Sequence, residues 1–287
     1  MVHVRNAVLT QANGFRWSLS DKPSASDSEW YVEDVAGWYG GSGVRGDVTA
    51  RLGHGDFVER GYREGRVLTL HGTVVCASSD IRDWQERNIS GMAGDGDWCE
   101  LTCDDGNAEL STRVRLDGAP QIVKLGTQAL RFQVPLRTEM PFLYSAWRES
   151  MLRPIGAGVG LEFPPFARDL GQGPVVTFGT AVSTDEWVWN DGNADSWPVF
   201  DVVADAPGGF AVGLGDKRVT YPWPTFPDIP VSVDMAGAVT VAGVDQSHLL
   251  GERGWASIAP QSMESPSFEF LQGGNGWATV RHRDTYI

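Results

Sequence analysis

The sequence predicts a mainly β protein of two domains with a single helix. Three observations carry this expectation. Glycine (35) and proline (16) punctuate short apolar runs along the whole chain, which marks frequent turns between strands. Apolar and polar residues alternate within those runs, as a half-buried strand requires. A length of 287 residues is enough for two separate cores.

In chain order, Ala7–Thr10 and Phe15–Leu19 read as strands around the Asn13-Gly14 turn signal, followed by a polar loop at 20–28. Glu29–Val35 resumes the strand pattern and leads into the glycine-rich corner 37–43. Over 65–75 the alternation is clearest, with Leu68, Leu70 and Gly72 on one face and Val67, Thr69 and His71 on the other. The one helix is expected over Asp80–Asn88, capped by Ser79 and ended by Gly91, with Ile81, Trp84 and Asn88 on a common face. Strands return at 97–103, 108–116 and 121–134, separated by Asp-Gly turns. From Trp147 to Pro174 the glycines and prolines of 153–160 and 163–166 cannot sustain long regular structure. The expected division is a domain over 1–148, a linker over 149–174 and a second domain over 175–287. Short strands at about 10-residue spacing then suggest a β-sandwich. They include the hairpins 231–241 and 267–281.

Composition excludes several function classes. The net charge is −14 and no basic cluster occurs, which opposes tight binding to nucleic acid or to anionic membranes. No apolar run reaches the length of a membrane span, and Met1–Asn6 has the features of no secretory signal. Cys99 and Cys103 share a strand face but stand about 13 Å apart along it, too far for a disulfide. They read as reduced, buried, small apolar residues. The Gly156-x-Gly158-x-Gly160 run leads into Pro164-Pro165 rather than a helix, so it lacks the helix N-terminus that holds a pyrophosphate. Asp95-Gly-Asp97 and Asp104–Asn107 have hairpin chemistry without the spacing of a calcium loop. Five scattered histidines (His3, His54, His71, His248, His282) sit in no catalytic or metal motif. No cofactor and no metal are expected. Trp187 and Trp189 share a strand face, which serves either as core or subunit contact or as a platform on which a glycan stacks.

Two stretches carry a family resemblance. The first is Glu33–Gly40, then Arg45-Gly46, Gly55–Phe57 and Tyr62–Val74. The second is Trp189-Asn-Asp-Gly-Asn-Ala194, Pro198-Val199, Val233-Asp234, Val239–Gly243, Trp255 and Pro260. In this order they resemble the siphophage distal tail proteins, over about residues 1–148 and 175–287. Pro260-Gln261 stands where that family has Pro-Gly, and Glu139-Met-Pro141 where Asp-Pro is frequent before Tyr144-Ser145.

The resemblance implies an N-terminal β-barrel or sandwich with one helix that forms a hexameric ring, and a C-terminal galectin-like β-sandwich. It implies a non-enzymatic virion protein at the distal end of a long non-contractile tail, assembled in the host cytoplasm. Its partners would be further copies of itself, the tail tube protein, the tail-tip hub and tape-measure proteins, and receptor-binding or fibre proteins. DNA would pass without specific binding, and no membrane would be involved. Trp38, Tyr39, Arg45 and Arg66 fall in the first stretch and are candidate ring-interface residues; Trp187 and Trp189 are candidate glycan or partner contacts. The readings from other classes are a carbohydrate-binding module and, below it, a glycoside hydrolase using paired carboxylates.

Overall fold

Strict alternation is what lets the first half of the chain close on itself. The structure is a computed structural model that describes residues 4–22, 26–52, 54–94, 96–155, 159–161, 167–169, 172–175, 178–180 and 186–287. The chain forms two units, residues 1–146 with 286–287, and residues 147–285.

In the first unit seven strands form a closed barrel. Ala129–Thr138, Val67–Cys76, Ser28–Ala36, Arg16–Ser20, Asn6–Thr10, Cys99–Asp104 and Glu109–Leu116 pair in that order. The seventh returns to the first through Val114↔Thr138, Arg115↔Arg137 and Leu116↔Leu136. Closure satisfies backbone groups that an open sheet would leave exposed at its edges. Every pairing is antiparallel except one parallel contact, Ser20↔Tyr31. The interior is filled by the inward residues of each strand, including Leu9, Leu19, Leu68, Leu70, Leu101, Phe132 and Val134. Cys76, Cys99 and Cys103 are buried free thiols, and burial pushes each of them up.

The helix runs Ser79–Ser90, and its cap is Ser78, one residue earlier than the sequence predicts. Ser78 has extended backbone angles, and its Oγ accepts the Ile81 N–H at 3.3 Å. The face toward the barrel is Ile81, Gln85 and Ile89, so Trp84 is exposed rather than packed. The expected single strand over 121–134 is instead a hairpin, Gln121–Leu125 with Ala129–Thr138, turning at Gly126 in the left-handed region (φ 68°).

The second unit is a β-sandwich of a six-stranded and a four-stranded sheet. The six-stranded sheet runs Arg148–Leu152, Asn275–His282, Val199–Asp205, Val231–Asp234, Ala238–Val241, Val244–Asp245. The four-stranded sheet runs Glu252–Arg253, Lys217–Tyr221, Phe210–Leu214, Pro266–Phe270. Phe200, Phe210, Phe268, Val219 and Val233 meet in the core. The expected closing hairpin over 267–281 does not form. Pro266–Phe270 pairs with Phe210–Leu214, and Asn275–His282 pairs with Val199–Asp205, so the glycines at 273–276 carry the chain from one sheet to the other.

The expected linker also needs correction at its start. Arg148–Leu152 is an edge strand in register with Asn275–His282, from Arg148↔His282 to Leu152↔Ala278. Of its residues only Leu152 is buried, which is why it shows no period-two signal. Further on, Val159–Leu161 pairs with Phe178–Thr180, and Ala167–Asp169 with Gln172–Val175, all of them short strands in the stretch where long regular structure was not expected. Gly156, Gly158, residues 163–166, Asp95 and His3 lie outside the described residues. Among the described residues no helix is long and apolar enough to cross a membrane, and no three metal-ligating side chains cluster.

The Asn-x-Gly-Asn-Ala stretch has a structural job within the second unit. Buried Asn190 donates through Nδ2 to the carbonyls of Ala194 (2.7 Å) and Ile258 (3.1 Å). Its Oδ1 accepts the N–H groups of Gly192 (3.0 Å) and Thr285 (3.2 Å). A Cβ at Gly192 would lie 1.9 Å from the Thr285 carbonyl oxygen, so only glycine fits there. Gln261, in the place of the family's glycine, takes a left-handed backbone (φ 54°). Its Nε2 donates to the carbonyls of Asp191 (2.6 Å) and Gly192 (3.2 Å), which offsets that strain. Beside it Arg148 grips Asp284 with both terminal nitrogens, Nη1 to Oδ2 at 2.9 Å and Nη2 to Oδ1 at 2.6 Å.

His282 lies under this pair, fully buried, and its Nε2 accepts from Arg148 Nε at 3.3 Å. Burial, and then the Arg148 charge, push its pKa from 6.5 down to about 4, with Asp284 opposing. The folded state therefore resists a proton that the unfolded chain accepts. The resulting stability is complete above pH 6.5 and is lost as pH falls toward 4, up to about 3 kcal/mol. Thermal melts of the wild type and His282→Gln between pH 7.5 and 4 should show a steeper acid loss for the wild type. Parallel pH profiles would rule out this role for His282.

Candidate assembly arm

Residues 44–64 leave the barrel between two of its strands and form a ribbon with no core. Val44–Arg45 pairs with Tyr62–Arg63, and beyond a bend Val48–Ala50 pairs with Asp56–Val58. None of its described residues is buried, and Val44, Val48, Leu52, Phe57 and Tyr62 are all exposed. A lone two-stranded ribbon is at best marginally stable in water, and this one has no second layer of its own among the described residues. Its charge also differs from the rest of the chain. Four arginines balance four carboxylates over 44–64, in a protein of net charge −14. Arg51 lies 4.5 Å over the Phe57 ring and Arg60 5.9 Å over Tyr62. At the bend a cleft of about 420 Å³ opens between Arg45, Asp47, Glu59, Arg60, Tyr62 and Arg63.

The four residues singled out in the sequence are all in this arm or at its root. Arg45 is on the arm itself, exposed, with Glu64 3.8 Å away. Trp38 and Arg66 are not surface residues; both are buried, one on each side of the root. Gly37 takes the left-handed turn that swings Trp38 inward (φ 83°), and a Cβ there would strike the Val67 carbonyl oxygen at 2.3 Å. Arg66 then ties the root together. Its Nη1 donates to the Trp38 carbonyl (2.6 Å), its Nε to the Pro141 carbonyl (2.7 Å), and its backbone N–H to Thr138 Oγ1 (2.7 Å). Burial, and then the nearby Arg63 charge, pull its pKa below the usual arginine value. Tyr39 is partly exposed at the root and donates its hydroxyl to Asp105 Oδ2 at 2.7 Å. Burial and that carboxylate push its pKa up to about 12.

In the second unit Trp187 and Trp189 are exposed (52% and 38%), so they are not core residues. The reason is their strand: Val188–Asn190 pairs only with Ser262–Glu264, and it turns Val188 and Asn190 inward. Arg148 stacks 4.7 Å from the Trp189 ring, and His282 meets it edge-on at 4.8 Å. Trp187 is the freer of the two. The arm itself carries no periodic apolar face, and in the sequence only the family resemblance of Arg45-Gly46, Gly55–Phe57 and Tyr62–Val74 marked it.

Truncating Arg66 would strand two buried carbonyls and open a cavity. Arg66→Ala should cost about 2–4 kcal/mol in urea unfolding, whereas Arg45→Ala should change stability by less than about 0.5 kcal/mol. Equal losses would show that the root is not anchored as described.

No protein-family model matches the chain, and no curated protein matches it. Solved structures do. The SPP1 Dit protein, from the hub adsorption apparatus of phages that infect Gram-positive bacteria, superposes with a TM-score of 0.62 at 14% identity, covering 98% of this chain and 99% of that one. A chain of the phage P2 baseplate in its activated conformation with Ca gives 0.48 at 7% identity, covering 97% and 98%. The same baseplate with Sr gives 0.46 at 8%, with the same coverage. Over nearly its whole length, this chain has the fold of SPP1 Dit, a protein of a phage hub adsorption apparatus.

Proposed function

We propose that the protein is a structural component of a siphophage tail tip, a distal tail protein that closes into a hexameric ring between tail tube and hub. The observation that carries this reading is the full-length fold match to SPP1 Dit, which covers 98% of this chain and 99% of that one. The arm supports the self-assembly part. Copies of a −14 chain repel one another, and the arm is a charge-balanced ribbon with exposed aromatic and aliphatic residues that needs a surface to cover it. A repeated contact of arm on neighbour is heterologous, so it closes a ring when the rotation allows. Trp38 and Arg66 contribute by holding the root, Tyr39 and Arg45 by contact.

In this reading the ring surrounds the path of DNA, meeting the tail tube, the hub and the tape-measure protein. Its acidity keeps passing phosphates from finding a cation to stay with. No chemistry is asked of the protein, and no cofactor. A glycan-binding role for the second unit is kept as a second reading, because Trp187 and Trp189 are exposed on one face.

Sedimentation and negative-stain imaging of the chain with tail tube protein should show particles of six times the 31.2 kDa chain mass. Replacing 44–64 by a short turn should leave the barrel's melting transition in place and abolish those particles. Rings that survive the deletion would remove the arm from assembly; a chain that never associates with any tail component would overturn the function. For the second reading, tryptophan fluorescence should respond to host surface glycan in the wild type and not in Trp187→Ala.

A further inference from the structure

Far from the arm in sequence, the second unit carries an apolar tip of a different kind. Residues 222–230 read Pro-Trp-Pro-Thr-Phe-Pro-Asp-Ile-Pro, and Trp223, Phe226 and Ile229 are 48%, 59% and 42% exposed. This is not a loose loop. Thr225 at its centre is buried, its Oγ1 donates to the Ala204 carbonyl (3.0 Å), and its backbone exchanges two hydrogen bonds with Ala206 (3.2 and 3.3 Å). The Trp223 indole N–H donates to the Leu249 carbonyl at 2.9 Å, and the Ile229 N–H to the Phe226 carbonyl at 3.0 Å. Four prolines fix φ along the segment. The backbone of the segment and the Trp223 ring are thus fixed, so little backbone entropy remains to be lost on binding.

At roughly 200 Å² per large side chain, the exposed parts sum to on the order of 300 Å² of apolar surface. That is within the range of patches that are functional on monomers, and is the size of an interface centre rather than a whole interface of about 800 Å² per partner. A tryptophan and a phenylalanine at such a centre are the side chains that dominate binding energy. The surroundings set the partner's charge. Asp205 precedes the paired Ala206, Asp228 lies in the segment, and Glu252 pairs beside its start at Thr220; all three are exposed, against one exposed cation, Arg253.

We propose that segment 222–230 is a preformed docking tip for a second protein of the same particle, one that presents an apolar groove with a basic rim. An acidic surround repels anionic lipid, and it repels the equivalent tip of another −14 copy, so neither membrane nor self-association fits as well. The inference rests on the tail-tip reading for where that partner is found.

The test compares hydroxyl-radical labelling of the full chain, free and in purified tails, and places benzoyl-phenylalanine in place of Phe226 for photo-crosslinking. Labelling of Trp223 and Phe226 should fall by about tenfold in tails, as burial at an interface centre entails. Crosslinks should go to a different tail protein, at a site flanked by Lys or Arg. Phe226→Asp should keep the wild-type melting transition and lose that crosslinked partner from the particle. Unchanged labelling in tails, crosslinks only to a second copy, or protection by phosphatidylglycerol vesicles would each overturn the proposal. If Phe57 and Tyr62 of the arm are protected while the tip is not, the tip inference falls and the ring stands. If neither region is protected, the tail-tip reading falls as well, and the tip inference with it.

Discussion

One carboxylate organises the second unit where the chain enters and leaves it. The backbone passes into that unit after residue 146 and out again after residue 285, and Arg148 and Asp284 stand just inside those two points. Their bidentate pair fixes the first strand of the sandwich against the last residues of the unit. Asp284 Oδ1 also accepts the Asp191 N–H at 2.8 Å, so the same group positions the turn that Asn190 organises. Breaking a pair that is this well buried on the Asp284 side removes the carboxylate's counter-charge, which costs far more than an exposed pair contributes. Gly192, Gln261 and His282 each have their strained or unusual setting because this network occupies the space around them.

The two units solve opposite problems. The barrel removes sheet edges by closure and fills its interior with the inward residues of its strands, then extends one ribbon whose described residues are not buried. The sandwich keeps its apolar exposure on short segments braced from within, by Thr225 under the tip and by Asn190 behind Trp189. Ribbon and tip therefore differ in what binding would cost. The ribbon has only its own strand pairing to hold it, whereas the tip is tied to the sandwich by Thr225.

Much of the fold was legible where barrel strands alternate: the faces of 67–76 and the shared face of Cys99 and Cys103 are as the sequence suggests. What was hidden follows from pairing, which no local pattern encodes. Ser267–Leu271 and Trp277–Arg281 look like a hairpin, yet they belong to different sheets because the intervening glycines cross the sandwich. Arg148–Leu152 looks like linker since one buried leucine gives no period. The resemblance singled out Trp38, Tyr39, Arg45 and Arg66 together, but it could not separate the two that are buried from the two that face solvent. Arginine beside glycine reads as surface, and only the carbonyls of Trp38 and Pro141 show why Arg66 is inside.

The return of the chain to its first unit has a consequence for synthesis. Tyr286 packs against the barrel core, although it leaves the ribosome about 140 residues after the rest of that unit. The barrel can collapse early, but its last contact waits for the whole sandwich to be translated. The seven strands close without it, through Val114↔Thr138 to Leu116↔Leu136. Tyr286 therefore adds a late contact to a barrel whose hydrogen-bonded ring is already complete.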